Sequence, residues 1–202
     1  MARQYLRSDH EQKLWQQGYQ AIVGLDEAGR GALAGPIVAG AVIFHPGTHI
    51  EGIHDSKVLS PKARAERYEE ITSQAKAWSV GVVSHRAIDQ RGIAYANRQA
   101  FVLALQGLSL QPDYILSDAF PVQQVDIPYQ AIIDGDAKVF SIAAASIIAK
   151  VYRDNLLCQA DKKWPVYGFA QHKGYGTAAH IDAIQKHGVA PFHRKSFIHI
   201  ES

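Results

Sequence analysis

The feature that most constrains this chain is a pair of apolar runs, residues 21–25 and 36–44, separated by the ten residues DEAGRGALAG. Runs rich in Val, Ile and small residues read as buried strands. Three glycines in the ten residues between them forbid a helix and mark a tight turn with close backbone approach. The expectation is a hairpin with polar groups at its bend. Adjacent side chains on a strand point to opposite faces, so Asp26 and Glu27 can serve one site only if the strand ends there and the chain turns.

Beyond this hairpin, Ser60 followed by Pro61 predicts a capped helix running to Lys76, and residues 79–84 a strand after it. Apolar residues at helical spacing, among them Ile88, Ala96, Ala100, Leu103 and Ala104, predict one long amphipathic helix over 86–108, stopped by Pro112. Residues 114–116 form a short strand delivering Ser117 and Asp118. Another over 129–133 delivers Asp134 and Asp136. Residues 140–157 read as a nearly apolar helix and 177–186 as a final amphipathic one, with a Gly- and His-bearing loop over 168–176 between them. Hairpin strands followed by strand and helix in alternation give a mixed α/β sheet.

With 202 residues and 47% hydrophobic composition, the chain suits one catalytic domain over 21–202, preceded by a polar extension, 1–20, read as an extra surface helix. Cys158 is the only cysteine, which excludes an internal disulfide and a thiolate zinc cluster and points to a reducing cytoplasm. No apolar stretch is long enough to span a bilayer, so no membrane role is expected, and a monomer is the default. The net charge of +2 says little, but its distribution says more: 12 basic against 15 acidic residues up to Ala137, then 9 against 4. An acidic part that holds cations and a basic tail that grips phosphates is one reading of that asymmetry.

Asp26, Glu27, Asp118 and Asp136 all fall at the ends of apolar segments. Taken singly, each has another role open to it: Asp26 as a helix cap, Asp118 as a turn residue, Asp136 as the N-cap of the next helix. Gathered in one place they would repel unless cations neutralised them, and all-oxygen ligands favour Mg²⁺ or Mn²⁺ over zinc. Two such ions, typically ~3.5 to 4 Å apart, suit in-line phosphodiester hydrolysis. The ten histidines lack the helical HxxxH or HExxH spacing of a zinc site. A P-loop is excluded because GRGALAGP has proline where the lysine should be.

The segment GLDEAGRGALAGPIVAGAVIF resembles the opening signature of ribonuclease HII. HDSKVLSPKAR resembles that family's DSK segment, GDAKVFSIAAASIIAKVYRD its last-carboxylate and helix segment, and YGFAQHKGYGTAAHIDAI with PFHRKSF its C-terminal region. The resemblance spans about Val23 to Phe197. It implies a ribonuclease H-like five-stranded mixed sheet flanked by helices with a helical C-terminal segment, and Asp26, Glu27, Asp118 and Asp136 as catalytic metal ligands. It further implies that Gly29, Arg30 and Gly31 bracket a ribonucleotide, with the 2′-hydroxyl read by main-chain groups. Tyr175 matches a tyrosine that stacks on the following sugar. Ser56, Lys57, His172, Lys173, Arg194 and Lys195 would then line the phosphate rim. The implied activity is metal-dependent cutting of RNA paired with DNA, with incision 5′ of ribonucleotides embedded in duplex DNA, leaving 5′-phosphate and 3′-hydroxyl ends.

One departure stands out. Where the family usually has glycine after the third carboxylate, this chain has Ala119. Asp154, in the KVYRD helix, is expected to pair with Arg153 or a neighbour. The alternatives are a ribonuclease HIII-like nuclease of the same fold, or a hybrid-binding module without catalysis.

Overall fold

A computed structural model describes residues 8–53, 59–122 and 125–198. Strand β1 (Ile22–Ala28) lies at the centre of a five-stranded sheet ordered β3-β2-β1-β4-β5, with β2 spanning Ile37–Phe44, β3 Ala75–Val83, β4 Tyr114–Asp118 and β5 Tyr129–Ile132. β1 pairs antiparallel with β2 and β2 with β3, whereas β4 runs parallel to both β1 and β5. The sheet is mixed, as the order of elements in the sequence implied.

Every residue of β2 is buried, so the middle of the sheet is covered on both faces. On one face, helix α4 (Ile93–Gln106) packs Ala96, Ala100, Phe101 and Ala104 against Val23, Leu25, Ile37, Ala39, Ala41 and Ile43. On the other, helix α5 (Phe140–Lys163) packs Ala143, Ala144, Ala145, Ile147 and Ile148 against Val42 and Phe44. α5 comes unusually near. A Cβ placed on Gly24 would lie 2.2 Å from the Ser141 carbonyl carbon, and one on Gly40 would lie 2.3 Å from the Ala145 carbonyl oxygen. Glycine at these strand positions is what lets the helix backbone sit directly on the sheet.

Several boundaries differ from the sequence expectation. Helix α2 (Pro61–Gln74) is capped as foreseen, the Ser60 hydroxyl accepting from the Ala63 amide at 3.2 Å, but it stops at Gln74 and β3 begins at Ala75. The single helix over 86–108 is two: α3 (His85–Arg91) and α4, broken at Gly92, which sits at φ 80° and ψ 161°. That backbone is incompatible with helix continuation. α5 runs six residues past Leu157, to Lys163.

The first helix, α1 (Asp9–Gln16), is not a surface appendage. Leu14 is buried in a cluster with Ile22, Leu116, Val139 and Ile142, and Glu11 is only 3% exposed. Beyond α5 the chain makes a four-residue helix α6 (Phe169–His172), then α7 (Ala178–His187), capped by the Thr177 hydroxyl. These pack with Leu157, Tyr167, Ile184 and Ala190 into a separate C-terminal cluster. Among the described residues, no helix is long and apolar enough to cross a membrane.

Candidate active site

At the C-terminal end of β1 the sheet opens into a hollow of about 500 Å³ lined by Asp26, Glu27, Gly29, Arg30, Gly31, Asp118 and Tyr175, together with Arg64, Ser146 and Lys150. β1 continues as strand through Ala28, so Asp26 and Glu27 sit within it rather than beyond its end. Both nevertheless line the hollow, and the chain leaves the sheet just beyond them at Gly29, φ 94°. A Cβ there would also strike Arg153 Nε at 1.9 Å, so glycine is required on two counts.

Asp26 is 5% exposed. Its carboxyl is pushed well above the ordinary range, first by burial and then by the negative charges of Glu27 and Asp118; the Glu27 amide and the Ser146 hydroxyl, which hydrogen-bond it, pull the other way. The amide bond is short, 2.7 Å to Asp26 Oδ1. Asp26 thus lies buried in the negative field of two neighbouring acidic side chains.

Asp118 ends β4, and its Oδ1 accepts from the Gly135 amide at 2.8 Å. Ala119 takes the left-handed backbone, φ 53°, so the turn is kept although the residue that usually makes it is absent. Asp136 lies in a 3₁₀ turn, Gly135–Ala137, at the foot of α5. It is 4% exposed and one residue from the amide that holds Asp118, yet outside the lining of the hollow. Asp134 is exposed and faces Lys138 at 3.7 Å, which sets it apart from the buried carboxylates. Among the described residues, no three acidic, histidine or cysteine side chains already form a closed metal cage. The donor chemistry nevertheless suits a hard divalent ion: oxygen ligands only, and a buried carboxyl that a cation would relieve.

The substrate-binding expectations divide. Gly29, Arg30, Gly31 and Tyr175 come together at the hollow, with the Arg30 guanidinium 4.1 Å from the Phe120 ring centroid. Tyr175 has Arg153 at 5.3 Å and Lys150 at 5.6 Å from its ring centroid. Lys195 is exposed, and Lys173 is half-buried with its Nζ donating to the Ala170 carbonyl. Ser56 and Lys57 lie outside the described residues.

Arg194 and His172 need correction as rim residues. Arg194 is fully buried, donating from Nε to the Gly35 carbonyl at 2.9 Å and from Nη1 to the Arg30 carbonyl at 3.0 Å. Burial first, then the neighbouring Arg153 guanidinium, brings its pKa down to about 9, so it stays charged at neutral pH. Its role is to fix the turn from below. Arg153 does the same, donating to the carbonyls of Pro36, Lys173 and Ala34 at 3.0, 2.9 and 3.0 Å. His172 accepts from the Gly174 amide at Nδ1 and meets the Tyr167 carbonyl at 2.7 Å with Nε2, leaving no ring nitrogen for phosphate.

Three lining residues escaped the sequence reading. Ser146 and Lys150 are one helical turn apart on α5, and Lys150 bridges Asp154 at 2.8 Å, which Arg64 approaches at 3.9 Å. Asp154 therefore pairs with its neighbour Lys150, not Arg153. The i, i+4 spacing of Ser146, Lys150 and Asp154 was the available signal.

The family model for ribonuclease HII matches residues 23–200. A curated ribonuclease HII from Dehalococcoides mccartyi is 48% identical over 95% of this chain and 92% of its own length. One from Vibrio vulnificus is 50% identical over 90% and 87%. Among solved structures, the ribonuclease H2 of Pyrococcus horikoshii superposes with a TM-score of 0.73 at 27% identity, covering 87% of this chain and 93% of that one.

Proposed function

The chain belongs to the ribonuclease HII family and is a ribonuclease H endonuclease, and from that premise we propose how its residues divide the work. Asp26, Glu27 and Asp118, with Asp136 behind them, hold divalent cations, Mg²⁺ or Mn²⁺, two in the catalytic state. Such ions lower the pKa of a bound water and offset charge on the phosphodiester. The protein's own share is positioning. Ser146 and the Glu27 amide orient the Asp26 carboxylate, and the Gly135 amide orients Asp118.

RNA is told from DNA by the 2′-hydroxyl, both donor and acceptor, and the Gly29-Arg30-Gly31 main chain offers groups of both kinds. Rigidity makes that selective: Arg194 ties down the Arg30 carbonyl, and Arg153 ties Ala34 and Pro36. A turn so held presents its free groups at fixed positions, and a deoxyribose leaves them unpaired. Tyr175, across the hollow, offers a ring face to the next sugar. Lys150 and Arg64, with Lys173 and Lys195 farther out, supply sequence-independent attraction for the backbone. The substrates are RNA paired with DNA and duplex DNA carrying embedded ribonucleotides, cut on the 5′ side to leave 5′-phosphate and 3′-hydroxyl ends.

The observation that carries this reading is the shared hollow, in which three acidic side chains lie beside the Gly-Arg-Gly turn and Tyr175. The experiment is incision of a duplex with one embedded ribonucleotide, beside an all-DNA duplex, in Mg²⁺, Mn²⁺ or chelator. Metal-dependent cutting of the first alone is expected. Cutting of both, or cutting that survives chelation, refutes the reading.

A further inference from the structure

Helix α5 starts badly. Its N-cap is Val139, which has no side-chain oxygen to accept from the amides of the first turn, and those amides have no partner within a helix. Ser, Thr, Asp or Asn usually stands there. Here the acceptor comes from 130 residues away: the Ser141 amide donates to Glu11 Oε1 at 2.8 Å, in a buried contact.

The same few residues carry the acidic site. The Val139 amide donates to the Gly135 carbonyl at 2.8 Å and the Lys138 amide to the same oxygen at 3.0 Å, so the 3₁₀ turn holding Asp136 is bonded directly to the foot of α5. The Gly135 amide then holds Asp118 Oδ1. One line of hydrogen bonds and short backbone links runs from Glu11 through the start of α5 to two of the four carboxylates.

Docking alone does not account for Glu11. Leu14 already packs α1 against Val139 and Ile142 through apolar contact. A buried carboxylate is a costly addition to such a joint, the more so as Glu11 Oε2 and Ser141 Oγ have no hydrogen-bond partner among the described residues. What a carboxylate adds at a helix N-terminus is a charge-assisted bond to an orphan amide and a favourable interaction with the helix dipole.

We propose that Glu11 is a positioning residue: it caps α5 from the N-terminal helix and thereby holds the turn that carries Asp136 and orients Asp118. This rests on the carboxylate site described under Proposed function, but it concerns a residue that does not line that hollow.

The test compares wild type, Glu11→Ala and Glu11→Gln, the last keeping an acceptor oxygen without the charge. Amide hydrogen exchange in the metal-free protein reads the cap. Exchange over 135–143 should quicken about tenfold in Glu11→Ala, the fold-change of a lost cap of about 1.4 kcal/mol. It should be restored in part in Glu11→Gln, which keeps the acceptor oxygen but loses the charge and its interaction with the helix dipole, with α7 unchanged in both. Unchanged exchange over 135–143, a uniform increase throughout the chain, or a Gln variant as loose as the Ala variant would each overturn the proposal.

Kinetics well below the melting temperature read the consequence. Glu11→Ala should lower kcat on the duplex with one embedded ribonucleotide by about tenfold and raise the half-activating Mn²⁺ concentration, with KM within about twofold, because the cap acts on the carboxylates and not on the duplex-binding face. If exchange quickens but kcat and metal response stay at wild-type values, Glu11 is a structural contact and the proposal fails. If the wild type itself does not cut, the functional reading falls, while the exchange arm still decides whether Glu11 orders the turn.

Discussion

Ala119→Gly tests how the site tolerates its departure from the family pattern. Ala119 is exposed and sits at φ 53° immediately after Asp118, with its amide donating to the Ile132 carbonyl at 3.0 Å and the Phe120 amide folding back to the Asp118 carbonyl at 2.5 Å. An L-residue with a Cβ is strained there by about 1–2 kcal/mol, which glycine escapes. Glycine in turn brings an unfolded-state entropy penalty of about 0.4–1 kcal/mol. The methyl contributes no burial, so the mid-range difference, a net stabilisation of about 0.8 kcal/mol, is what remains. For a chain of this size that corresponds to a melting temperature higher by about 1–4 °C. Calorimetry of the metal-free protein, with urea unfolding as a second measure, is the assay. Activity should stay within about twofold, because the backbone is already in the glycine-like conformation and Asp118 is held by Gly135 independently. A drop in melting temperature of about 2 °C or more would show that the left-handed turn carries no strain and would refute the reasoning. Ala119→Val should move the other way, since a β-branched residue is least tolerated at positive φ.

The remaining predictions concern the buried groups. Asp26→Asn should abolish metal-dependent cutting while raising the melting temperature of the metal-free protein, because it removes a buried charge that Glu27 and Asp118 repel; a lower melting temperature would show that the carboxylate is compensated without metal. Gly24→Ala forces a Cβ to within 2.2–2.6 Å of the α5 backbone at Ser141 and Ile142, and should destabilise by about 1–3 kcal/mol in urea unfolding; a neutral result would mean that α5 can slide. His180 carries a pH prediction. Burial outweighs its hydrogen bond to the Tyr175 carbonyl and lowers its pKa from 6.5 to about 4. A base depressed in the folded state contributes stability that is present above 6.5 and lost as pH falls towards about 4. Unfolding free energy should therefore fall more steeply across that window in wild type than in His180→Asn, and equal slopes would count against the assignment.

The hairpin, the five strands and the gathering of Asp26, Glu27 and Asp118 at one hollow were readable because their signals are local: apolar runs, glycines at a bend, an acidic residue at the end of an apolar run. The break between α3 and α4 was not, because Ile88, Ala96, Ala100 and Ala104 all pack into one cluster and keep helical spacing across Gly92. A period reports which face is buried, not whether the backbone is continuous. Arg194 and His172 were misplaced for a different reason. A sequence shows that a side chain is basic but not whether it meets a phosphate in water or a carbonyl inside, and Arg194 finds its acceptors at Arg30 and Gly35, 164 and 159 residues away. Glu11 was hidden in the same way within a polar stretch. Arg153, Arg194, Glu11 and His180 share a property that explains why local patterns miss them: each ends on main-chain groups of a loop or helix end bordering the acidic hollow. Backbone amides and carbonyls are the same at every position, so their partners leave no residue-type signature. Gly-rich turns offer few side chains to pack, and buried charged or polar side chains bonded to their backbone add a second means of fixing them.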